Sequence, residues 1–203
     1  MSSTRDRILE IALDLFSQNG YSAVSIRDIC GYVNIKESSL YYHFTNKQAI
    51  LDEIINKFEE NASLLMTRLE KSLSISFDYS DFNSFEDVCV YFFEEYLMDD
   101  YCNKVMRLLI IEQFNNEETR KIYDEWMFDK PLRFFAKVFF VLSDMDVIKN
   151  NDSAALAVRF YSPIFMYASR WLLSGELTGE RKRMFQECAY KHMNKLFIDI
   201  VRI

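Results

Sequence analysis

Apolar residues recur at helical spacing along almost the whole chain. Over residues 4–18 the positions Ile8, Ile11, Ala12, Leu15 and Phe16 follow the i, i+3, i+4, i+7, i+8 rule of an amphipathic helix. Ser3 precedes them as a cap and Asp6 lies three residues further on, the spacing of a reciprocal capping box. Asn19–Gly20 closes this helix, since glycine accepts the left-handed backbone of a C-cap. A second helix begins after Ser25, with Asp28 again three residues later and Ile26, Ile29, Cys30 and Val33 on one side. Asn34 forms the turn, because Asn tolerates positive φ better than most side chains. The third helix, 36–44, buries Leu40 and Phe44, with Ile35 packing just before it. Thr45 or Asn46 caps the fourth.

From residue 47 the pattern changes scale. One helix extends to about residue 72, carrying Ile50, Leu51, Ile54, Ile55, Phe58, Ala62, Leu65, Met66 and Leu69 inward. A polar stretch, 74–84, interrupts it, and Ser84 starts the next helix. Further helices are predicted over 85–98, 101–115, 117–143, 152–174 and 179–202, with breaks at Asp99–Asp100, Asn115–Asn116, Lys149–Asp152 and Gly175–Gly179. Pro131 and Pro163 fall inside predicted helices, and each is expected to kink one or split it. With only 4 Gly and 2 Pro in 203 residues, turns are too scarce for a β-rich chain. The expectation is an all-α protein of about nine helices. Residues 1–47 form a three-helix helix-turn-helix domain, and a long fourth helix leads into a helical bundle over 48–203.

Charge changes this picture. The net charge of −7 argues against a nucleic-acid partner for the chain as a whole. Over residues 1–50, however, Arg5, Arg7, Arg27, Lys36 and Lys47 balance Asp6, Glu10, Asp14, Asp28 and Glu37, so the remainder carries the entire excess. A locally neutral segment can dock on DNA when its cations face one way. No run of about 18 apolar residues suggests a membrane span. The scattered cysteines Cys30, Cys89, Cys102 and Cys188 suit reduced, buried thiols in the cytoplasm. The two histidines, His43 and His192, have no Cys or carboxylate at metal-ligand spacing, and no nucleophile elbow, P-loop or dinucleotide turn is present. Neither an enzyme nor a metal or cofactor site is expected.

The third helix is too short to be stable alone. With Leu40 and Phe44 anchored, its opposite face offers Lys36, Glu37, Ser38, Ser39, Tyr42 and His43, with Tyr41 at the edge. Tyr, His and Lys donate to phosphate oxygens and so set register on a duplex. Ser38 and Ser39 are short enough to bond base edges, Tyr42 can rest on a thymine methyl, and Glu37 can accept from a cytosine amino group. Lys47 opens the fourth helix, where its charge joins a terminus that favours anions. Ser25 and Arg27 are placed to grip the flanking backbone. Taken singly, each of these is an ordinary surface or packing residue; their convergence on one helix-turn-helix face points to duplex DNA.

The same segment resembles the DNA-binding domain of the TetR family of bacterial transcriptional regulators. The resemblance rests on the first helix ending in FSQNGY, on SIRDIC opening the second, and on LYYHFTNKQAIL across helices three and four, and it spans residues 5–55. Asn34, Lys36 and Ser38 stand where the family usually has Gly, Ser and Gly, and Glu37 adds a negative charge at the DNA face. The resemblance implies a homodimer on a palindromic operator, joined through its last two helices, with a small-molecule effector bound in the C-terminal body.

The body is rich in large aromatic and thioether side chains. Met106, Ile110, Phe114, Trp126, Phe134 and Phe165 are candidate walls of an apolar effector pocket, with Arg107, Gln113 and Tyr161 as its polar groups. An apolar or aromatic effector, neutral or cationic, suits such a lining. The stripe Ala157, Ile164, Ala168 and Trp171 and the stripe Phe185, Cys188, His192 and Leu196 are the expected faces of a two-fold four-helix interface. Two functional classes follow: a ligand-responsive repressor, or a small-molecule-binding or helical interaction protein without sequence-specific DNA binding.

Overall fold

The computed structural model describes residues 3–75, 82–149 and 152–201. Ten α-helices follow in order among them: α1 (Thr4–Asn19), α2 (Ile26–Val33), α3 (Glu37–His43), α4 (Lys47–Ile75), α5 (Phe82–Phe92), α6 (Asp100–Glu112), α7 (Glu117–Asp124), α8 (Lys130–Asp144), α9 (Ser153–Trp171) and α10 (Gly179–Ile200). Two π-helical turns extend α5 over Phe93–Leu97 and join α7 to α8 over Glu125–Asp129. Since α7, its π turn and α8 run on without a break, the continuous helical rods number nine among the described residues. Ile148 and Val201 form an isolated antiparallel bridge, and no strand occurs among the described residues. No described helix is long and apolar enough to cross a membrane.

The local signals act as expected at the N-terminus. Both capping boxes form, Ser3 with Asp6 and Ser25 with Asp28. Asn34 adopts the left-handed region at φ 61° and ψ 51°, and Asn46 caps α4 by accepting the Ala49 N–H at 2.8 Å. α5 starts at Phe82, two residues before the expected Ser84. The rest of the break expected over 74–84, and part of that at 149–152, lie outside the described residues.

The chain divides into two compact units. One comprises Met1–Ala62 with Lys104–Tyr123; the other comprises Ser63–Asn103 with Asp124–Ile203. The division differs from a simple cut at residue 47, because most of α6 and all but the last residue of α7 join the N-terminal helices. The first unit buries Ile8, Ala12, Phe16, Ile29, Val33, Leu40 and Phe44 in a single core.

The second unit has an interior of stacked rings. Phe92, Phe134, Phe135 and Tyr161 pack with centroids 5.0–6.3 Å apart, and Phe135 meets Phe160 at 4.5 Å. Pro131 falls where a π turn divides the helix predicted over 117–143. It stands in the first turn of α8, directly after the π turn, where a missing N–H is tolerated. There the Lys130 N–H bonds the Glu125 carbonyl, and Pro131 has no N–H to offer Trp126 or Met127. Two tyrosine hydroxyls take those acceptors: Tyr96 donates to the Trp126 carbonyl, and Tyr161 to that of Met127 at 2.9 Å.

Candidate nucleic-acid interface

Three short helices around one core hold a seven-residue α3 with its polar side outward. Leu40 is fully buried and Phe44 nearly so, which fixes the helix by one edge. Lys36, Glu37, Ser38, Ser39, Tyr41 and Tyr42 are exposed, with Tyr42 85% exposed, and His43 is half-buried edge-on to the Tyr42 ring at 5.1 Å. Ile35, Ser38, Ser39, Tyr42 and His43 line a shallow open groove together with Thr4 from the start of α1. Thr4 was not singled out in the sequence, where a residue beside a helix cap reads only as the first turn of α1. Lys36 precedes α3 without a side-chain cap, so its ammonium is not tied to the helix end.

Three residues expected at this surface have other engagements. The Ser25 hydroxyl caps α2 and donates to Asp28 Oδ2 at 2.6 Å. The Lys47 ammonium donates to the carbonyls of Tyr21 and Val24, both at 2.8 Å, and lies 4.0 Å from the centroid of the Tyr21 ring. Burial lowers its pKa, while the Glu112 carboxylate opposes that shift. Arg27 Nε donates to Glu37 Oε1 at 3.1 Å across the exposed side of α2 and α3.

Within the same unit, α6 closes on α1 and the α1–α2 turn. Lys104 Nζ pairs with Asp14 at 2.7 Å, and Arg107 Nη2 donates to the Ser17 carbonyl at 3.1 Å. Glu112, only 6% exposed, accepts the Tyr21 N–H at 2.9 Å. Burial raises the pKa of the Tyr21 phenol, with the charges of Asp52 and Glu112 adding to the effect.

This arrangement spreads out the residues expected to line an effector pocket. Its nine residues divide between the two units, with Met106, Arg107, Ile110, Gln113 and Phe114 in the first and Trp126, Phe134, Tyr161 and Phe165 in the second. Phe114 projects from the α6–α7 turn, 85% exposed, and lines no interior. Met106 is buried, and Ile110 is half-buried. All three intended polar groups bond backbone carbonyls: Arg107 that of Ser17, Gln113 that of Ile110 at 3.0 Å, and Tyr161 that of Met127.

The residues of the expected dimer stripes differ in exposure. Ala157, Ile164, Ala168, Phe185 and Leu196 are buried within the chain itself. Trp171, Cys188 and His192 are half-buried. His192 Nε2 donates to the Phe160 carbonyl at 3.1 Å, beside Pro163, which has no N–H to offer Arg159. The outward side of α9 and α10 instead carries Val158, Met166 and Ile198.

A helix-turn-helix domain is the class these features define. Residues 8–54 match the model of the bacterial regulatory proteins, tetR family. The match is confined to the N-terminal helices, α1 to the start of α4. The biofilm operon icaADBC HTH-type negative transcriptional regulator IcaR of Staphylococcus aureus (strain Newman) is 38% identical over 69 residues. That similarity covers 34% of this chain and 37% of IcaR, well under two thirds of the relative's length. In fold, the SmeT–triclosan complex superposes with a TM-score of 0.70 at 18% identity, covering 99% of this chain and 93% of SmeT. A transcriptional regulator from Saccharomonospora viridis in complex with choline superposes with a TM-score of 0.67 at 22% identity, covering 98% of each chain.

Proposed function

We propose that this protein is a ligand-responsive repressor that binds a palindromic operator as a homodimer and releases it when a small apolar or aromatic molecule binds the second unit. The observation that carries this reading is the exposed, polar face of α3 over its groove, on a domain whose sequence is that of a reader family. Tyr42, Ser38 and Ser39 meet the duplex. Lys47 acts from behind, holding the Tyr21 and Val24 carbonyls so that α2 and α3 keep their mutual angle.

The repressor assignment draws on IcaR, a negative regulator by name, and the effector assignment on the triclosan and choline complexes. In this chain the effector would lodge among Trp126, Phe134, Tyr161 and Phe165, entering past the half-buried Phe128–Phe165 pair, whose rings lie 4.9 Å apart. Helix α6 carries the response. It begins in the second unit and ends as the clamp on the α1–α2 turn, so its displacement loosens the seat of α3. Near-complete switching needs a preference for the released state of about 10⁴-fold. The second copy docks through the outward face of α9 and α10, setting two readers about 34–36 Å apart or a multiple of that.

The test starts from a random-sequence duplex library, from which the protein should recover a palindrome. Tyr42→Ala should then weaken binding to that palindrome in a gel-shift titration at fixed salt, with unchanged thermal stability. Recovery of no sequence, or unaltered affinity in the variant, would refute the assignment.

A further inference from the structure

The cations of the reading domain are almost all engaged with the protein itself. Arg5 pairs with Glu53 and lies 5.0 Å from the centroid of Phe44, and Arg7 donates to the Val33 carbonyl at 3.1 Å. Lys47 holds two carbonyls, and Arg27 holds Glu37. Lys36 alone has no side-chain partner among the described residues. Such a surface has little positive charge to offer phosphates indiscriminately, and phosphate contacts are what sustain non-specific binding.

One of these engagements differs in kind. The Arg27 and Glu37 side chains remain 85% and 45% exposed at their pair, and Glu37 is the first residue of the helix whose Ser38 borders the groove. An ion pair so exposed contributes little to stability and opens readily. Asp28, next to Arg27, cannot replace Glu37, because Ser25 holds its carboxylate through the backbone N–H at 2.8 Å and the hydroxyl at 2.6 Å.

Resting on the reading of α3 as the DNA reader, we propose that the Arg27–Glu37 pair is a discriminator between operator and other duplex. In the free protein each charge masks the other. On an operator half-site with a cytosine beneath the first turn of α3, Glu37 accepts from the cytosine N4 amino group and Arg27 passes to a neighbouring phosphate. Cytosine suits a lone carboxylate because its amino group has no acceptor nitrogen beside it, whereas adenine sets N7 next to N6. On any other sequence no amino donor replaces the guanidinium, the pair stays closed, and that phosphate contact is not made.

The experiment compares wild type with E37A, R27A and the double variant. Each is put through selection from the random duplex library and titrated on one unselected duplex over a salt series. Wild type should recover a palindrome with one fixed C·G pair in each half-site beneath α3. E37A should recover the same palindrome with that pair relaxed and bind unselected duplex about tenfold more tightly. Its log affinity against log salt should steepen by about two, one phosphate per copy. R27A should weaken binding to the selected palindrome and flatten its salt dependence by about two, and the double variant should lose the gain of E37A on unselected duplex. If E37A keeps the C·G preference, or the double variant retains the full gain of E37A, the charges act independently and the discriminator is refuted while DNA reading stands. If wild type recovers no sequence, the DNA reading fails and this proposal with it.

Discussion

Gly20 shows how much of the reader depends on single atoms. Its φ of +82° is a value that side chains avoid, and an added Cβ would lie 2.9 Å from Glu112 Oε1 and 3.0 Å from Ile111 Cγ2. Gly20→Ala should therefore cost about 1–3 kcal/mol in chemical denaturation, through backbone strain and displacement of the Glu112 latch. Gly31, inside α2 with nothing within 4 Å of its own added Cβ, gives the opposite sign. There alanine should gain roughly 0.5–1 kcal/mol, because glycine is a poor helix residue. Equal stabilities for the two variants would contradict the close approach of α6. Lys47→Met tests a neighbouring bond. Methionine keeps the apolar stem but removes the donor to the Tyr21 and Val24 carbonyls, so melting should show a loss of about 1–3 kcal/mol even without DNA. A solvated phosphate-binding lysine would show none. In the sequence, Asn19–Gly20 was legible as a helix end. Glu112 was not, since a carboxylate 91 positions beyond its partner Tyr21, on an amphipathic helix, looks like solvated surface.

At the scale of elements, what was legible had a local cause. Capping boxes, the left-handed Asn34 and the apolar periodicity of α1 to α4 act within a few residues, and each formed where the spacing placed it. What was hidden depended on pairing between distant elements. The π turn at Glu125–Asp129 and Pro131 together free two carbonyls, and the tyrosines that fill them come from α9 and from the other π turn. Tyr96→Phe should cost about 1–3 kcal/mol by removing the hydroxyl that donates to the Trp126 carbonyl, with no change in helical content by circular dichroism. A neutral result would mean the carbonyl finds another donor. His192 repeats the pattern between α10 and the proline of α9. Burial depresses its pKa first, and the Arg159 charge, itself paired with Asp199 at 2.9 Å, adds to this, while bonds to the Phe160 and Arg159 carbonyls pull the other way. With the folded value below the unfolded one, stability from the neutral ring is fully present above about pH 6.5 and declines as acid approaches the folded pKa. Melting temperatures recorded from pH 7.5 down to 5 should fall through that window, and less steeply in His192→Gln.

The molecule as a whole has to work as two copies if a reader so poor in available cations is to hold DNA. A single half-site contact made by α3 alone would be weak, and joining two readers turns the second contact into an intramolecular one with a large gain in avidity. The helices expected to meet across the two-fold axis bury part of their small-and-large stripes within the chain itself, and the docking proposed above therefore uses their other side. Phase in the sequence does not separate the two sides. Both faces of α9 carry apolar residues at helical spacing, and only burial shows that Ile164 and Ala168 face the core, while Val158, 50% exposed, and Met166, 55% exposed, do not. Ile198 on α10, 71% exposed, extends the same outward surface, and the Arg159–Asp199 pair ties the two helices together beside it. Replacing Met166 and Ile198 together with Glu places like charges face to face across a two-fold axis, where desolvated repulsion is costly, yet leaves each subunit's core untouched. The double variant should sediment as a monomer with an unchanged melting transition, and its affinity for the selected palindrome should fall at least about a hundredfold, toward that of one half-site. A variant that stays dimeric would move the interface elsewhere. A monomer that still bound the palindrome with full affinity would show that one copy suffices, and spacing between two readers could then no longer be the quantity the effector controls.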